Sequence, residues 1–207
     1  MIKKIIITGG LGYIGTELCK IYSGVSWHHK IIVIDNRFIS ERVNQLRHWN
    51  MEFIHGDILD KELVKKYFKD ADIVHHLAGI TDVPRVKSES SIERDHEIKL
   101  VGEKGTQNIL DVISDNCKII FPSTHVVYEG IEKVKNNISE NENTKPILSY
   151  ASSKAINEQQ LKNSGKNYII LRLGSVYGYS TDTARIDIMP NLFSKIASQN
   201  GTLKLFA

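Results

Sequence analysis

The sequence predicts an α/β protein: a doubly wound, largely parallel β-sheet with helices on both faces. Three observations carry this. Short, continuous apolar runs alternate with segments of helical period along the 207-residue chain. The first run leads through a glycine-rich turn straight into a helix. The side chains suited to chemistry fall at the ends of the runs, where right-handed crossovers gather the strand C-termini at one edge of the sheet.

Ile5-Ile6-Ile7 is the first strand, and Thr8-Gly9-Gly10-Leu11-Gly12-Tyr13-Ile14-Gly15 follows as a turn that opens a helix over 13–22. Such a strand–turn–helix puts a pyrophosphate on a helix N-terminus. Gly9 makes the tight turn, Gly12 lets backbone approach the phosphates, and Gly15 lets the helix pack on the strand. The spacing is G-x-x-G-x-x-G rather than G-x-G-x-x-G. Residues 31–35 form a second strand, continuously apolar until Asp35, as suits a strand buried on both faces. Asp35 is placed either to bind both hydroxyls of an adenosine ribose and to repel a 2′-phosphate, which favours NAD over NADP, or to cap a helix from the surface. Arg37 nearby softens that preference.

Residues 51–55 read as a third strand. Asp57 after it suits either an adenine amino group, with Ile58 against the ring, or the cap of a helix over 61–69. A fourth strand runs into His76-Leu77-Ala78-Gly79, whose small residues let a dinucleotide lie close to the backbone. His75 and His76 read as core or strand-end residues, and His28-His29 as a loop pair. No cluster of His, Cys and acid has ligand spacing, so no metal site is expected.

Residues 89–114 carry a long helical period. A fifth strand, 118–121, leads to Pro122-Ser123-Thr124. Residues 129–145 are polar and read as a mobile loop. A helix opens at Tyr150, a sixth strand spans 168–172, a further helix spans 188–198, and residues 203–206 resemble the start of another strand.

Composition narrows the function. The formal net charge is +3, from 27 basic and 24 acidic residues that are interspersed, which argues against nucleic acid or membrane surfaces as partners. The two cysteines, Cys19 and Cys117, fit a reduced, cytoplasmic protein. No apolar run is long enough to cross a bilayer, and the N-terminus runs straight into a strand.

Tyr150 and Lys154 lie four apart and share a helix face. A tyrosine of ordinary pKa, about 10, is a poor base at neutral pH; making it one requires about 4 kcal/mol of stabilisation of the phenolate. A neighbouring Lys⁺ and an oxidised nicotinamide both act in that direction. Taken alone, the same spacing also describes a solvated pair with no task.

In combination, Gly9-x-x-Gly12-x-x-Gly15, Asp35, Gly56-Asp57, His76-Leu77-Ala78-Gly79, Ser123-Thr124-x-x-Val127-Tyr128, Tyr150-x-x-x-Lys154 and Arg172-x-x-x-Val176-Tyr177-Gly178 occur in that order. Over essentially its whole length the chain resembles the extended short-chain dehydrogenase/reductases, in particular the NAD-dependent epimerase/dehydratase family that acts on nucleotide sugars. The resemblance implies a Rossmann-like NAD-binding domain over 1–172 that carries the catalytic residues. It also implies a substrate-binding region beginning at 173–207, which is short and reads as interrupted. Tyr150 would take the proton from a sugar hydroxyl while hydride passes from the same carbon to NAD. Lys154 would hold the nicotinamide ribose and lower the pKa of Tyr150, and Thr124 would bond the same substrate oxygen. Gly9, Gly12, Tyr13, Ile14, Gly15, Asp35, Asn36, Asp57, Ile58, Leu77, Ala78 and Gly79, with Tyr150 and Lys154, would line the cofactor. Thr81, His125 and Ser175 would face the substrate. A nucleoside-diphosphate hexose is the implied substrate, a 4-epimerisation the implied reaction, and a homodimer through the helices at 89–114 and 150–163 the implied assembly.

Departures from the family pattern sharpen this. Relatives that dehydrate nucleotide sugars carry Asp-Glu after the catalytic Thr; here the pair is His125-Val126, and Val126 cannot be a base. Gly102 and Ser175 stand where asparagines are frequent. Two other readings stay open: an NAD-binding module without turnover, and a reductase acting on a smaller carbonyl.

Overall fold

A computed structural model describes residues 2–81, 91–133, 135–181, 185 and 188–204. It shows a six-stranded, all-parallel sheet in the order β3-β2-β1-β4-β5-β6. The strands are β1 (Lys4–Thr8), β2 (Lys30–Asp35), β3 (Glu52–His55), β4 (Ile73–His76), β5 (Lys118–Thr124) and β6 (Asn167–Leu173). The order reverses between β1 and β4, so the C-terminal ends of these two strands frame a crevice, the ligand position of doubly wound sheets.

The continuous apolar runs have a direct cause. Side chains alternate across a strand, and both faces are covered. Ile5, Ile7, Ile31 and Val33 point to one side, into a core with Leu11, Cys19, Val43 and Leu46. Ile6, Ile32, Ile34 and Val74 point to the other, into a larger core with Val64, Phe68, Ile109, Phe121 and Leu161. These layers come from α1 (Tyr13–Tyr22), α2 (Ser40–His48), α3 (Lys61–Phe68), α4 (Ile92–Lys99), α5 (Gly105–Leu110) and α6 (Ser149–Asn163); α7 (Met189–Ser198) follows β6.

Four features differ from the sequence expectation. Helix α2 has no counterpart in it, because only Val43 and Leu46 of its nine residues are buried apolar ones. The cap of α3 is Asp60, whose Oδ1 accepts from the amides of Glu62 and Leu63 at 3.0 and 3.1 Å; Asp57 is not that cap. The helix expected over 89–114 is described from its Ser91 cap onward and is broken by a π-helical turn at Leu100–Lys104. There the carbonyl oxygens of Gly102 and Glu103 accept from Asn157 (3.1 Å) and Gln160 (3.0 Å) of α6. Finally, the polar loop after residue 129 is tied across its neck. Glu129 accepts from the amides of Ile147 and Leu148 at 2.6 and 2.7 Å, the Gly130 amide donates to the Lys145 carbonyl, and the Lys145 amide donates to the Val127 carbonyl, both at 2.8 Å. The strand expected at 203–206 lies partly outside the described residues, and Leu203 and Lys204 carry no regular structure.

Candidate active site

The glycine turn closes on the end of β4. Gly9 has φ +66°, and a Cβ there would stand 2.8 Å from the Ala78 nitrogen, so only glycine fits. A Cβ on Gly15 would stand 2.3 Å from the Gly9 carbonyl oxygen and 2.7 Å from Gly10 Cα. Gly15 thus lets the helix pack on the turn itself rather than on the strand. Gly12 is the N-cap of α1 and has no side chain with which to cap it, which leaves the first-turn amides of α1 to an anion. Tyr13 and Ile14 open that turn, with Ile14 exposed.

Asp35 ends β2 beside this turn and is 5% exposed. Its carboxylate accepts from the Leu11 amide at 2.9 Å and from the Arg37 amide at 3.0 Å. The Arg37 side chain also reaches it, at 3.4 Å. Asn36 donates to Asp57 at 3.0 Å, and Asp57 also accepts from the Leu59 amide at 2.8 Å. Asp35, Asn36 and Asp57 therefore gather at adjoining strand ends. Ile58 turns its side chain into the core, 4% exposed and against Gly105. At β4, the Ala78 amide donates to Thr8 Oγ1 at 3.0 Å and the Leu77 amide to the Thr8 carbonyl at 3.2 Å; a Cβ on Gly79 would meet nothing within 4 Å. A phosphate-accepting helix start, a buried carboxylate at the end of β2 and an open wall at Gly79 fit a bound dinucleotide.

His76 stands behind this wall. Its two ring nitrogens bridge Thr8 Oγ1 and Thr106 Oγ1, each at 3.0 Å. Burial, with the nearby Lys154 charge second, pushes its pKa down to about 3. It is a neutral strut. Among the described residues, no group of three His, Cys, Asp or Glu side chains is placed to hold a metal ion.

The second half of the site joins β5 and α6. Thr124 ends β5, 8% exposed; its Oγ1 accepts from the Val126 amide at 3.3 Å, and it neighbours Tyr150 in the first turn of α6. Burial raises the Tyr150 pKa; the Arg185 guanidinium and the neighbouring Thr124 hydroxyl act the other way. Lys154 is half-buried, donates to the Pro122 carbonyl at 2.9 Å, and lies 5.9 Å from the Tyr150 ring centroid. Burial lowers its pKa to about 8. Arg185 also donates to the Thr81 carbonyl at 3.3 Å, so Thr81, Arg185, Tyr150 and Thr124 face one another across the cleft. His125 bonds the Leu173 carbonyl through Nδ1 at 3.2 Å, and Ser175 is exposed in the loop after β6.

Three contributors escape the sequence reading. Arg185 is 35 residues from Tyr150 in no recognisable pattern. Asn191 donates to the Tyr13 hydroxyl at 3.1 Å and accepts from the Gly178 amide at 2.9 Å, which ties the segment after β6 to the glycine turn. Glu158 is 1% exposed and bound by Ser123 and Arg172. Only its place four residues after Lys154 marks it in the sequence.

A glycine turn opening on a parallel sheet, with a Tyr–Lys pair at the same edge, defines the dinucleotide-binding α/β proteins of the short-chain dehydrogenase type. The family profile of the NAD dependent epimerase/dehydratases matches residues 5–206, and the chain belongs to that family. It is 32% identical over 198 residues to a dTDP-D-glucose 4,6-dehydratase of Dictyostelium discoideum, covering 86% of this chain and 44% of that protein. It is 33% identical over 208 residues to a CDP-paratose 2-epimerase of Salmonella typhi, covering 84% and 58%. Among solved structures it resembles a UDP-glucuronic acid 4-epimerase of Bacillus cereus in complex with NAD and a fluorinated UDP-sugar, at 26% identity and a TM-score of 0.81, over 99% of this chain and 66% of that one. The chain thus spans about half the length of these curated relatives.

Proposed function

We propose that this chain carries the NAD-binding and catalytic residues of a nucleotide-sugar epimerase. One observation supports the reading above the others: Tyr150, Thr124 and half-buried Lys154 meet at the edge of the sheet where the glycine turn opens. In this reading residues 1–172 hold NAD and residues 173–207 belong to the substrate-binding side. Gly9, Gly12 and Gly15 shape the phosphate seat, with Tyr13 and Ile14 in the helix turn above it. Asp35 takes the adenosine ribose hydroxyls, and Asn36 and Asp57 stand toward the adenine. NAD, when bound, supplies a hydride acceptor and a positive ring that draws the Tyr150 pKa down.

Tyr150 as phenolate takes the proton of a sugar hydroxyl and later returns it, and Thr124 holds the same oxygen. Lys154, already drawn toward neutrality by burial, would hold the nicotinamide ribose. The carboxylates that serve dehydration are missing at His125-Val126, which favours epimerisation over 4,6-dehydration. The substrate is a nucleoside-diphosphate sugar, contacted from Thr81, His125 and Ser175.

A homodimer is part of the proposal. Ile92, Leu100 and Ile156 are exposed along α4, the π-helical turn after it and α6, and a groove of about 540 Å³ on that face is lined by Gln107, Ser152, Ile156 and Gln159. Light scattering at monomer mass alone would remove this part. A cytoplasmic setting fits the two buried free thiols, and no described helix is long and apolar enough to cross a membrane.

The test of the activity is Tyr150→Phe. Losing a general base should cost about 10²–10⁴-fold in turnover, with NAD affinity nearly unchanged. Turnover that survives the change refutes the mechanism, and NAD binding without any turnover in the unaltered chain leaves a binding module.

A further inference from the structure

Tyr150, Lys154 and Glu158 are spaced four apart on α6, so they stand on one face. Three consecutive residues at the end of β5 meet them. Thr124 neighbours Tyr150, Lys154 Nζ donates to the Pro122 carbonyl at 2.9 Å, and Ser123 Oγ donates to Glu158 Oε1 at 2.6 Å. The strand end therefore meets the helix at three adjacent points, the last two of them hydrogen bonds, and only the first two involve residues with a chemical task.

The third link is also the most firmly held. Arg172 of β6 grips the Glu158 carboxylate with two hydrogen bonds, Nε to Oε1 at 2.9 Å and Nη2 to Oε2 at 2.6 Å, and Lys162 stands 3.9 Å from Oε2. Such paired, charge-assisted bonds fix orientation as well as position. The same guanidinium reaches the loop after residue 129. It donates to the Tyr128 hydroxyl and to the Glu140 carbonyl, the latter at 2.9 Å, while Tyr128 donates to the Ser139 carbonyl at 3.1 Å. A continuous path thus runs from the loop through Arg172, Glu158 and Ser123 to the residue beside Thr124.

We infer that Glu158 is a positioning residue for the Tyr150–Thr124 pair. Clamped by Arg172, it holds Ser123 and so sets where the Thr124 hydroxyl stands against the Tyr150 hydroxyl. This rests on the proposed function only for its effect on turnover; the geometry it claims is testable without substrate. Catalytic hydrogen bonds are sensitive to such placement, since a misplacement of about 1 Å can cost about 10²-fold in rate.

Ser123→Ala cuts this link and leaves the Glu158–Arg172 pair intact, which spares the fold. The expected result is a fall of about tenfold or more in kcat, with KM for the nucleotide sugar and the NAD Kd within about twofold of the unaltered protein. The acid limb of the kcat–pH profile moves to higher pH, because Thr124 no longer stabilises the phenolate. Ser123→Thr, which keeps the hydroxyl, restores both. Glu158→Gln should behave as Ser123→Ala if it folds. An unchanged kcat and pH limb in Ser123→Ala overturns the inference. If the unaltered chain turns over no nucleotide sugar, the proposed function fails, and an ultraviolet titration of Tyr150, taken as the difference from Tyr150→Phe, decides this point separately. Titration at higher pH in Ser123→Ala supports the positioning role, and coincident titrations overturn it.

Discussion

The ammonium of Lys154 sits 4.3 Å from the centroid of the Phe121 ring and bonds the carbonyl of the next residue, Pro122, at 2.9 Å. This partly desolvated cation has a consequence for stability. Its pKa is about 8 in the folded chain against an ordinary 10.5. Between these values the unfolded chain binds more protons, so folding stability rises with pH across that window. The gain should approach about 3 kcal/mol at most. Urea unfolding of the unaltered protein and of Lys154→Met should diverge in pH dependence there. Parallel curves from pH 8 to 10.5 would show that Lys154 is not held in the buried environment described.

His76 acts at the other end of the scale. Burial first, and Lys154 second, hold it neutral down to about pH 3, against an ordinary 6.5. The stability this represents is fully present above the unfolded value and is lost as the pH falls toward 3. The loss should reach about 4 kcal/mol. His76→Gln, which retains a donor and an acceptor for Thr8 and Thr106, should lose stability less steeply on acidification. A variant that follows the unaltered protein through the acid limb would remove His76 as the cause.

Gly15→Ala and Gly79→Ala separate packing from open space. The new methyl at Gly15 would meet backbone, 2.3 Å from the Gly9 oxygen, and backbone cannot swing aside. The turn must shift, with about 1–3 kcal/mol of destabilisation and a loss of NAD affinity of about tenfold or more. At Gly79 nothing lies within 4 Å, so the melting temperature should stay unchanged. Equal NAD affinity in Gly15→Ala and the unaltered protein would contradict the phosphate seat at this turn.

How much of this was legible in the sequence follows from where the information lies. The sheet was readable because Ile31, Ile32, Val33 and Ile34 are all buried, alternately on two faces, which gives an unbroken apolar run. The phosphate turn and the Tyr150–Lys154 pair were readable because their spacing is local. Helix α2 was not, since it buries only Val43 and Leu46. The π-helical turn depends on Asn157 and Gln160 capturing carbonyls about 55 residues away in the chain, and no local pattern encodes that. Asp57 fitted a cap equally well until the structure gave the cap to Asp60. Arg185 and Asn191 reach the site through tertiary contacts alone.

Tyr13 provides the last prediction. Its hydroxyl donates to the Gly178 carbonyl and accepts from Asn191 Nδ2 at 3.1 Å, and Ser180 Oγ donates to its carbonyl at 3.1 Å. The first residue of α1 is thereby tied to the segment that follows β6. Tyr13→Phe removes only the hydroxyl and keeps the ring and the helix amide. The groups released are near solvent, so the global cost should stay near 1 kcal/mol. The local cost falls on the Gly178 amide, which donates to Asn191 at 2.9 Å. With Asn191 Nδ2 then held only by the Arg185 carbonyl, at 3.0 Å, exchange of that amide with solvent deuterium should speed up about fivefold, the factor that corresponds to about 1 kcal/mol. Amides of β1 should exchange as before, because their opening follows the core. Asn191→Ala should reproduce the effect. Equal exchange at Gly178 in all three proteins would mean that Tyr13 does not anchor this segment.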